Sequence, residues 1–385
     1  MTKTALKLLT SSLDEKHAED MLRSQLATAG VTINGSAPWD IQVLDPRLYA
    51  RVIRDGTLGA GEAYVDGWWE CAELDQMFER IIRARVDTAI RDSWIALANA
   101  VRARLFNLQA TRAFEVGKVH YDVGNDLYRA MLGPSMMYTC AYWKNSQTLD
   151  EAQNAKLDLI CRKIGLRPGM RILDLGCGWA GFAAFAATHY GASVVGYTVS
   201  REQVAWAKQQ HGGLPIDIRL DDYRNAEGSY DAVVSIGLLE HVGPKNHRAY
   251  MEVATRSLVP GGIAFIHTIA CNRSRDQIDP WFHKYIFPNA AIPTLGQLAA
   301  AMEGILVAED VHNLGPHYDR TLMAWWNNFD GAWAELRPRY GDAFYRMWKY
   351  YLLSSAAAFR ARDLNLYQIV ATPAGSPQPT TARQS

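Results

Sequence analysis

The 385-residue sequence predicts an α/β fold in two parts, a mainly helical N-terminal segment followed by a larger domain built on a parallel sheet. Three observations predict it. Apolar residues recur at helical spacing through roughly the first 112 positions. From about 146, short apolar strands alternate with helix-like segments, and the first of those strands runs into a glycine-rich turn. Strands alternating with helices imply parallel pairing, with helices covering both sheet faces. With 49% hydrophobic residues, the chain can bury a full core and is long enough for two domains.

In "ELDQMFERIIRARVD", Leu74, Met77, Phe78, Ile81 and Ile82 fall on one helical face, and "IRDSWIALANAVRARLF" does the same with Ile90, Trp94, Leu97, Val101 and Leu105. Between 80 and 118, eight basic residues stand against three acidic ones. Such a segment suits either the solvated face of a core-packed helix or an anionic membrane surface, and the pattern leaves both open. Thr148 and Glu151 form a T-x-x-E capping box, opening a helix that turns Ala152, Ala155, Leu159 and Ile160 inward and stops at Gly165. Strands are expected at "MRILDL", "ASVVGYT", "IDIRL", "YDAVVSIG" and "GGIAFIHTIA". The tail after about 372, "TPAGSPQPTTARQS", has the composition of a disordered segment.

Forty basic residues balance forty acidic ones, which argues against a nucleic-acid binder driven by bulk charge. The five cysteines, Cys71, Cys140, Cys161, Cys177 and Cys271, are far apart and suggest neither a disulfide framework nor a zinc site. The first apolar stretch is short and meets Asp14, Glu15 and Lys16, so no signal peptide is expected. No apolar run is long enough to span a bilayer, and a cytoplasmic location is the expectation.

Gly176, Gly178 and Gly181 satisfy G-x-G-x-x-G, the spacing of a dinucleotide loop. Glycine lets backbone approach a ligand closely, and the following helix N-terminus favours negative charge. Two details argue against NAD. Asp174 would set a carboxylate against the pyrophosphate, and the second strand ends Gly196-Tyr197-Thr198 where a ribose-binding acid is expected. A carboxylate beside this turn suits a cofactor with a cationic or hydroxyl-rich end, such as S-adenosylmethionine. Ahead of the turn, Tyr121, Tyr128, Tyr138, Tyr142 and Trp143 form either an aromatic core segment or a set of faces for a cation. In "SIGLLEHVG", Glu240 and His241 end an apolar strand, where a buried charge must be paired.

"HYDVGNDLY", "YTCAYW", "LDLGCGWAG", "GYTVSREQ", "LLEHVGPKN", "FIHTI", "GPHYDRTL" and "AFRARD" occur in the order and spacing of the cyclopropane-fatty-acyl-phospholipid synthases, which the chain resembles over nearly its whole length. The resemblance implies a class I S-adenosylmethionine-dependent methyltransferase domain, Rossmann-like with a mostly parallel seven-stranded sheet. It also implies a small helical N-terminal domain, which the related mycolic acid cyclopropane synthases lack. The implied organisation is a lipid-recruiting domain over 1–112, a linker over 113–118, a catalytic domain over 119–372 and a tail over 373–385.

Position by position, the resemblance implies that Tyr138, Thr139, the turn Asp174, Gly176, Cys177 and Gly178, the segment from Thr198 to Gln203, and Ile236 bind the cofactor. A bicarbonate ion would be held by Cys140, Glu240, His267, Tyr318 and the backbone at Ile269, with Tyr121 stabilising a cation. The implied reaction transfers a methylene group to the cis double bond of an acyl chain in a membrane phospholipid. The alkene attacks the sulfonium methyl, and loss of a proton from that methyl closes a cyclopropane ring. The residues alone allow Glu240 or His267 as the base, whereas the resemblance favours bicarbonate. Ser354 and Ser355 stand where many relatives carry a cysteine, so a covalent cysteine mechanism is unavailable there. A homodimer associated with the inner membrane face is further implied, with no nucleic-acid partner. The rival readings are a related methyltransferase that makes methyl-branched lipid or methylates an amine and, more remotely, an NAD-dependent oxidoreductase or a non-catalytic lipid-binding protein.

Overall fold

The computed structural model describes residues 15–86, 124–275 and 278–383. The second expected basic helix, the 113–118 linker and Tyr121 lie outside these residues. The N-terminal part comprises α1 (Glu15–Ala27), β1 (Gln42–Val43), α2 (Arg47–Val65), β2 (Trp69–Glu70) and α3 (Leu74–Arg83), with β1 and β2 paired antiparallel. Helix α3 follows the expected spacing: Leu74 and Met77 are buried, while Phe78, Ile81 and Ile82 face a cavity.

After α4 (Asn125–Leu132), α5 (Leu149–Lys163) opens on the expected capping box, with Thr148 Oγ1 accepting from the Glu151 amide and Glu151 Oε2 accepting from the Thr148 amide. The sheet then builds through β3 (Arg171–Leu175), α6 (Gly181–Tyr190), β4 (Ser193–Thr198), α7 (Arg201–His211), β5 (Ile216–Leu220), β6 (Tyr230–Ile236), α8 (His247–Arg256) and β7 (Leu258–Cys271). Next come α9 (Pro280–Tyr285), α10 (Leu295–Met302), β8 (Leu306–Asn313), α11 (Gly315–Gly331), α12 (Trp333–Arg360) and β9 (Leu364–Pro373).

The seven strands lie in the order β5-β4-β3-β6-β7-β9-β8. The first five pair in parallel, and β9 runs antiparallel to both β7 and β8. All five strands expected from apolar runs are present. Strand β8 left no such signal because it is an edge, with Val307 and Val311 exposed and Glu309 and Asp310 interrupting the pattern.

The N-terminal part does not keep a core to itself. Leu22, Val52 and Met77 belong to the same hydrophobic cluster as Trp325, Trp348 and Phe359 of α11 and α12. Tyr350 of α12 packs against Tyr64, Phe78 and Trp281, at ring distances of 5.6, 5.0 and 4.5 Å. Trp281 is fully buried, and burying an aromatic ring of this kind contributes roughly 1.5–3 kcal/mol. Gly61 makes room for it, since a Cβ there would sit 2.4 Å from the Trp281 ring. Arg346 pairs with Glu70 and donates to the Tyr64 and Trp69 carbonyls, so a charge clamp reinforces the apolar contact.

Residues 374–383 follow a defined course where composition suggested disorder. Ala382 is buried in the sheet's core cluster, and Thr381 donates to the Lys163 carbonyl. An apolar anchor near the end holds a segment whose own composition is polar.

Candidate active site at the sheet switch point

Strand order reverses between β3 and β6, and in open α/β sheets ligands bind beyond the carboxyl ends of the strands at such a point. At the end of β3, the Gly176 and Cys177 amides both donate to the Tyr197 carbonyl at 3.0 Å, folding the turn onto β4. Gly176 adopts φ 77°, and a Cβ on it would press to 3.1 Å from Leu238. Gly178, at φ 55°, and Ala180, at φ 65°, carry the chain into α6. Beyond β4, Thr198 Oγ1 donates to Gln203 Oε1 at 2.5 Å, and Ser200 caps α7. Ile236 ends β6, and the following Gly237 amide donates to the His267 carbonyl.

Asp174 is almost fully buried and its Oδ1 has no hydrogen-bond partner. Burial pushes its carboxyl up to about 7, against the pull of Lys156. Lys156, fully buried on α5, donates to Thr139 Oγ1 at 3.1 Å. Tyr138 shares a 2.7 Å hydrogen bond with the Tyr351 hydroxyl and packs edge-on against Tyr128 and tilted against Trp325, so the aromatic approach is a packed cluster at the site.

A cavity of about 330 Å³ opens beside this turn. Tyr138, Thr139, Glu240, His267, Ile269 and Tyr318 line it, together with Leu22, Leu48, Val52, Met77 and Phe78 from the N-terminal part. Glu240 sits in a 3₁₀ turn over Leu239–His241. Its Oε1 accepts from the Ile269 amide at 2.6 Å, while Oε2 is buried without a partner. Desolvation pushes the carboxyl up to about 7, opposed by the Ile269 hydrogen bond. His267 is buried on β7, and burial holds its imidazole well below the usual range. The Gln368 amide, as oriented, donates to Nδ1 at 3.4 Å, which leaves Nε2 carrying the proton without a partner.

Six of the expected site residues therefore line one cavity. Ile269 contributes an amide already engaged by Glu240, so it orients the carboxylate. Cys140 lies behind the wall, fully buried, its thiol directed at the Ala141 and Leu314 carbonyls and held protonated by burial. The cofactor turn, Thr198, Gln203 and Ile236 lie outside the cavity lining, and Tyr121 falls outside the described residues. Lys156, Gln368 and Tyr351 were not anticipated. Lys156 does fall on the inward stripe of α5 with Ala152 and Ile160, a position where a lysine is out of place.

A family model described as mycolic acid cyclopropane synthetase matches residues 108–369. The cyclopropane-fatty-acyl-phospholipid synthase of Escherichia coli K12 is 49% identical over 346 residues, 90% of this chain and 91% of that protein. The solved structure of the cyclopropane synthase MmaA2 from Mycobacterium tuberculosis superposes with TM-score 0.62 at 30% identity, covering 67% of this chain and 97% of that one. A structure of mycolic acid cyclopropane synthase CmaA1 complexed with SAH and CTAB gives TM-score 0.62 at 29% identity, with the same coverage. The switch-point turn, the carboxylate and imidazole on an apolar wall, and these matches agree, and the chain belongs to the cyclopropane synthase family.

Proposed function

We propose that this protein transfers a methylene group from S-adenosylmethionine to the cis double bond of an unsaturated acyl chain in a membrane phospholipid, forming a cyclopropane ring. One observation carries the reading: a largely apolar cavity is lined by Glu240 and His267, each with a buried polar atom without a partner, Oε2 and Nε2. An acyl chain matches the wall, and a small oxyanion matches the two atoms.

Bicarbonate fits them, and when bound it supplies the base for the proton lost from the transferred methyl. Burial raises the Glu240 carboxyl to about 7, so it takes up a proton more readily than an ordinary glutamate and can offer it to an anion. His267 offers the Nε2 proton, and Tyr318 reaches the cavity from α11. The Ile269 amide fixes Glu240, while Cys140 lies outside the cavity lining with its thiol turned to the Ala141 and Leu314 carbonyls. Phe282, Phe287 and Tyr351 present aromatic faces to the cavity, which stabilise a carbocation along the chain. Alkenes are weak nucleophiles, so proximity and exclusion of water supply most of the acceleration. Tyr138, Thr139, Asp174, Gly176, Cys177, Gly178, Thr198, Gln203 and Ile236 form the cofactor site of this reading, and Tyr121 is assigned to cation stabilisation from the sequence alone.

Among the described residues no helix is long and apolar enough to cross a membrane. The basic run from 80 to 118 supports peripheral docking on an anionic surface, and the family resemblance supports a homodimer. The test is incubation with S-adenosylmethionine and dispersed unsaturated phospholipid, followed by mass spectrometry of the acyl chains. A gain of one CH₂ with loss of the alkene supports ring closure. A methyl-branched chain or a methylated amine instead supports the related methyltransferase.

A further inference from the structure

Lys156 is a buried lysine for which the reaction above has no use, and burial lowers its amine to about 7. An ammonium carries three donors, and among the described residues its one hydrogen-bond partner is Thr139 Oγ1, at 3.1 Å. Burying a charge this incompletely satisfied is costly unless something else compensates it. The surroundings are built with care. Gln153, one turn earlier on α5, donates to the Met137 and Thr139 carbonyls at 3.3 and 3.0 Å, so the helix fixes the backbone of the Tyr138–Thr139 segment.

Asp174, at the end of β3, has a buried Oδ1 without a partner. Lys156 and Asp174 attract each other without an ion-pair contact between them among the described residues. Cys140 also faces Lys156, its thiol kept neutral by burial, and His267 feels the same positive charge. Burial brings the Asp174 carboxyl and the Lys156 amine both to about 7, so each takes its charged form most readily beside a ligand group of opposite sign. The amino-acid end of S-adenosylmethionine is a zwitterion that offers both, with an ammonium and a carboxylate on one carbon.

The hydrogen bond to Lys156 has a directional effect. Lys156 occupies an acceptor lone pair of Thr139 Oγ1, so the Thr139 hydroxyl hydrogen must be donated elsewhere. Thr139 lines the cavity next to Gly237, where a Cβ would come within 2.8 Å of its methyl. We infer that Lys156 is the positioning residue that makes the cofactor site select an amino-acid carboxylate: it turns the Thr139 hydroxyl into a donor for that carboxylate and sets its own amine behind it. The inference rests on assigning this turn to S-adenosylmethionine. Lys156 touches neither the reacting methyl nor the alkene in this arrangement, and acts through Thr139.

The experiment compares binding of S-adenosylmethionine and its decarboxylated form to the full chain by calorimetry. Wild type should favour the carboxylate-bearing compound by about tenfold or more, the size of one charge-assisted hydrogen bond. Lys156→Met should bring that ratio close to one, chiefly by weakening S-adenosylmethionine. Thr139→Val should do the same, and the double variant should add little, because the two side chains act as one unit. Should Lys156→Met fail to fold, Lys156→Gln replaces it: the ratio should still fall, and an unchanged ratio overturns the inference. A variant that weakens both compounds equally, with the ratio preserved, overturns the inference and leaves Lys156 a structural residue. A wild-type protein that binds neither compound overturns the cofactor assignment itself.

Discussion

The Ile269 amide donates to Glu240 Oε1 at 2.6 Å, and the other carboxyl oxygen, Oε2, is buried with no partner. A strand backbone thus fixes one oxygen and leaves the other aimed at chemistry. This resolves the awkward carboxylate at the end of "SIGLLEHVG". It is oriented by β7, and burial raises its affinity for a proton to about 7, which suits it to donate to a bound anion.

Glu240→Gln should keep the Ile269 hydrogen bond, because the amide oxygen can replace Oε1. It loses the acidic proton at Oε2. We expect turnover on phospholipid vesicles to fall by about a hundredfold, the scale of losing one preorganised electrostatic group, with S-adenosylhomocysteine binding nearly unchanged. Unchanged turnover would remove Glu240 from the anion site.

The same group links stability to pH. The folded state raises the Glu240 pKa above its ordinary 4.5, so between about 4.5 and 7 the folded protein holds a proton the unfolded chain has released. Its contribution to stability must fall as pH rises through that window and level off above it. Glu240→Gln removes this contribution, so the variant should exceed wild type by up to about 3 kcal/mol at pH 8 and match it near pH 4. Urea titrations of both proteins at the two pH values check this. An equal difference at both would be incompatible with a titrating Glu240.

Arg360 joins the two parts of the molecule. It meets Asp75 of α3 at 2.6 Å and pairs bidentately with Asp319, the neighbour of Tyr318, at 2.9 and 3.0 Å. Arg360→Ala leaves both carboxylates without this partner and should cost about 2 to 3 kcal/mol. Activity should fall further than stability explains, since the Tyr318 helix is released as well. Thermal melts and assays well below the melting point separate the two effects, and full activity there would show that the clamp is only structural.

Val52 lines the cavity from the N-terminal part. Val52→Trp should fill part of the roughly 330 Å³ and raise KM for phospholipids with long acyl chains more than for those with short ones. Equal effects on all chain lengths would place the acyl chain elsewhere.

Arg102 and Arg104 lie outside the described residues, and the expectation for them comes from charge alone. Replacing both with glutamine should weaken binding to anionic vesicles by roughly 2 kcal/mol at low salt, about 1 kcal/mol for each charge near the surface. Flotation assays that show no change would discount docking through this run.

Local patterns made much of the architecture legible. The capping box at Thr148, the stop at Gly165 and five apolar strands were all visible because each depends on neighbours a few residues apart. Asp174 beside its glycine turn, and Glu240 after an apolar strand, stood out because charge in an apolar run must have a reason. Edge strand β8 and the anchored tail were not legible, since one is half solvated and the other is held by distant contacts through Thr381 and Ala382.

Residue spacing thus determined which groups are present and on which elements they ride. Tertiary packing decided what they face. It put Lys156 behind Thr139, set Gln368 on His267 to choose its proton, withdrew Cys140 behind the wall, and gave the N-terminal helices a side of the cavity. These are contacts between residues up to hundreds of positions apart. Their energies come from burial and from the direction of single hydrogen bonds, which no local pattern encodes.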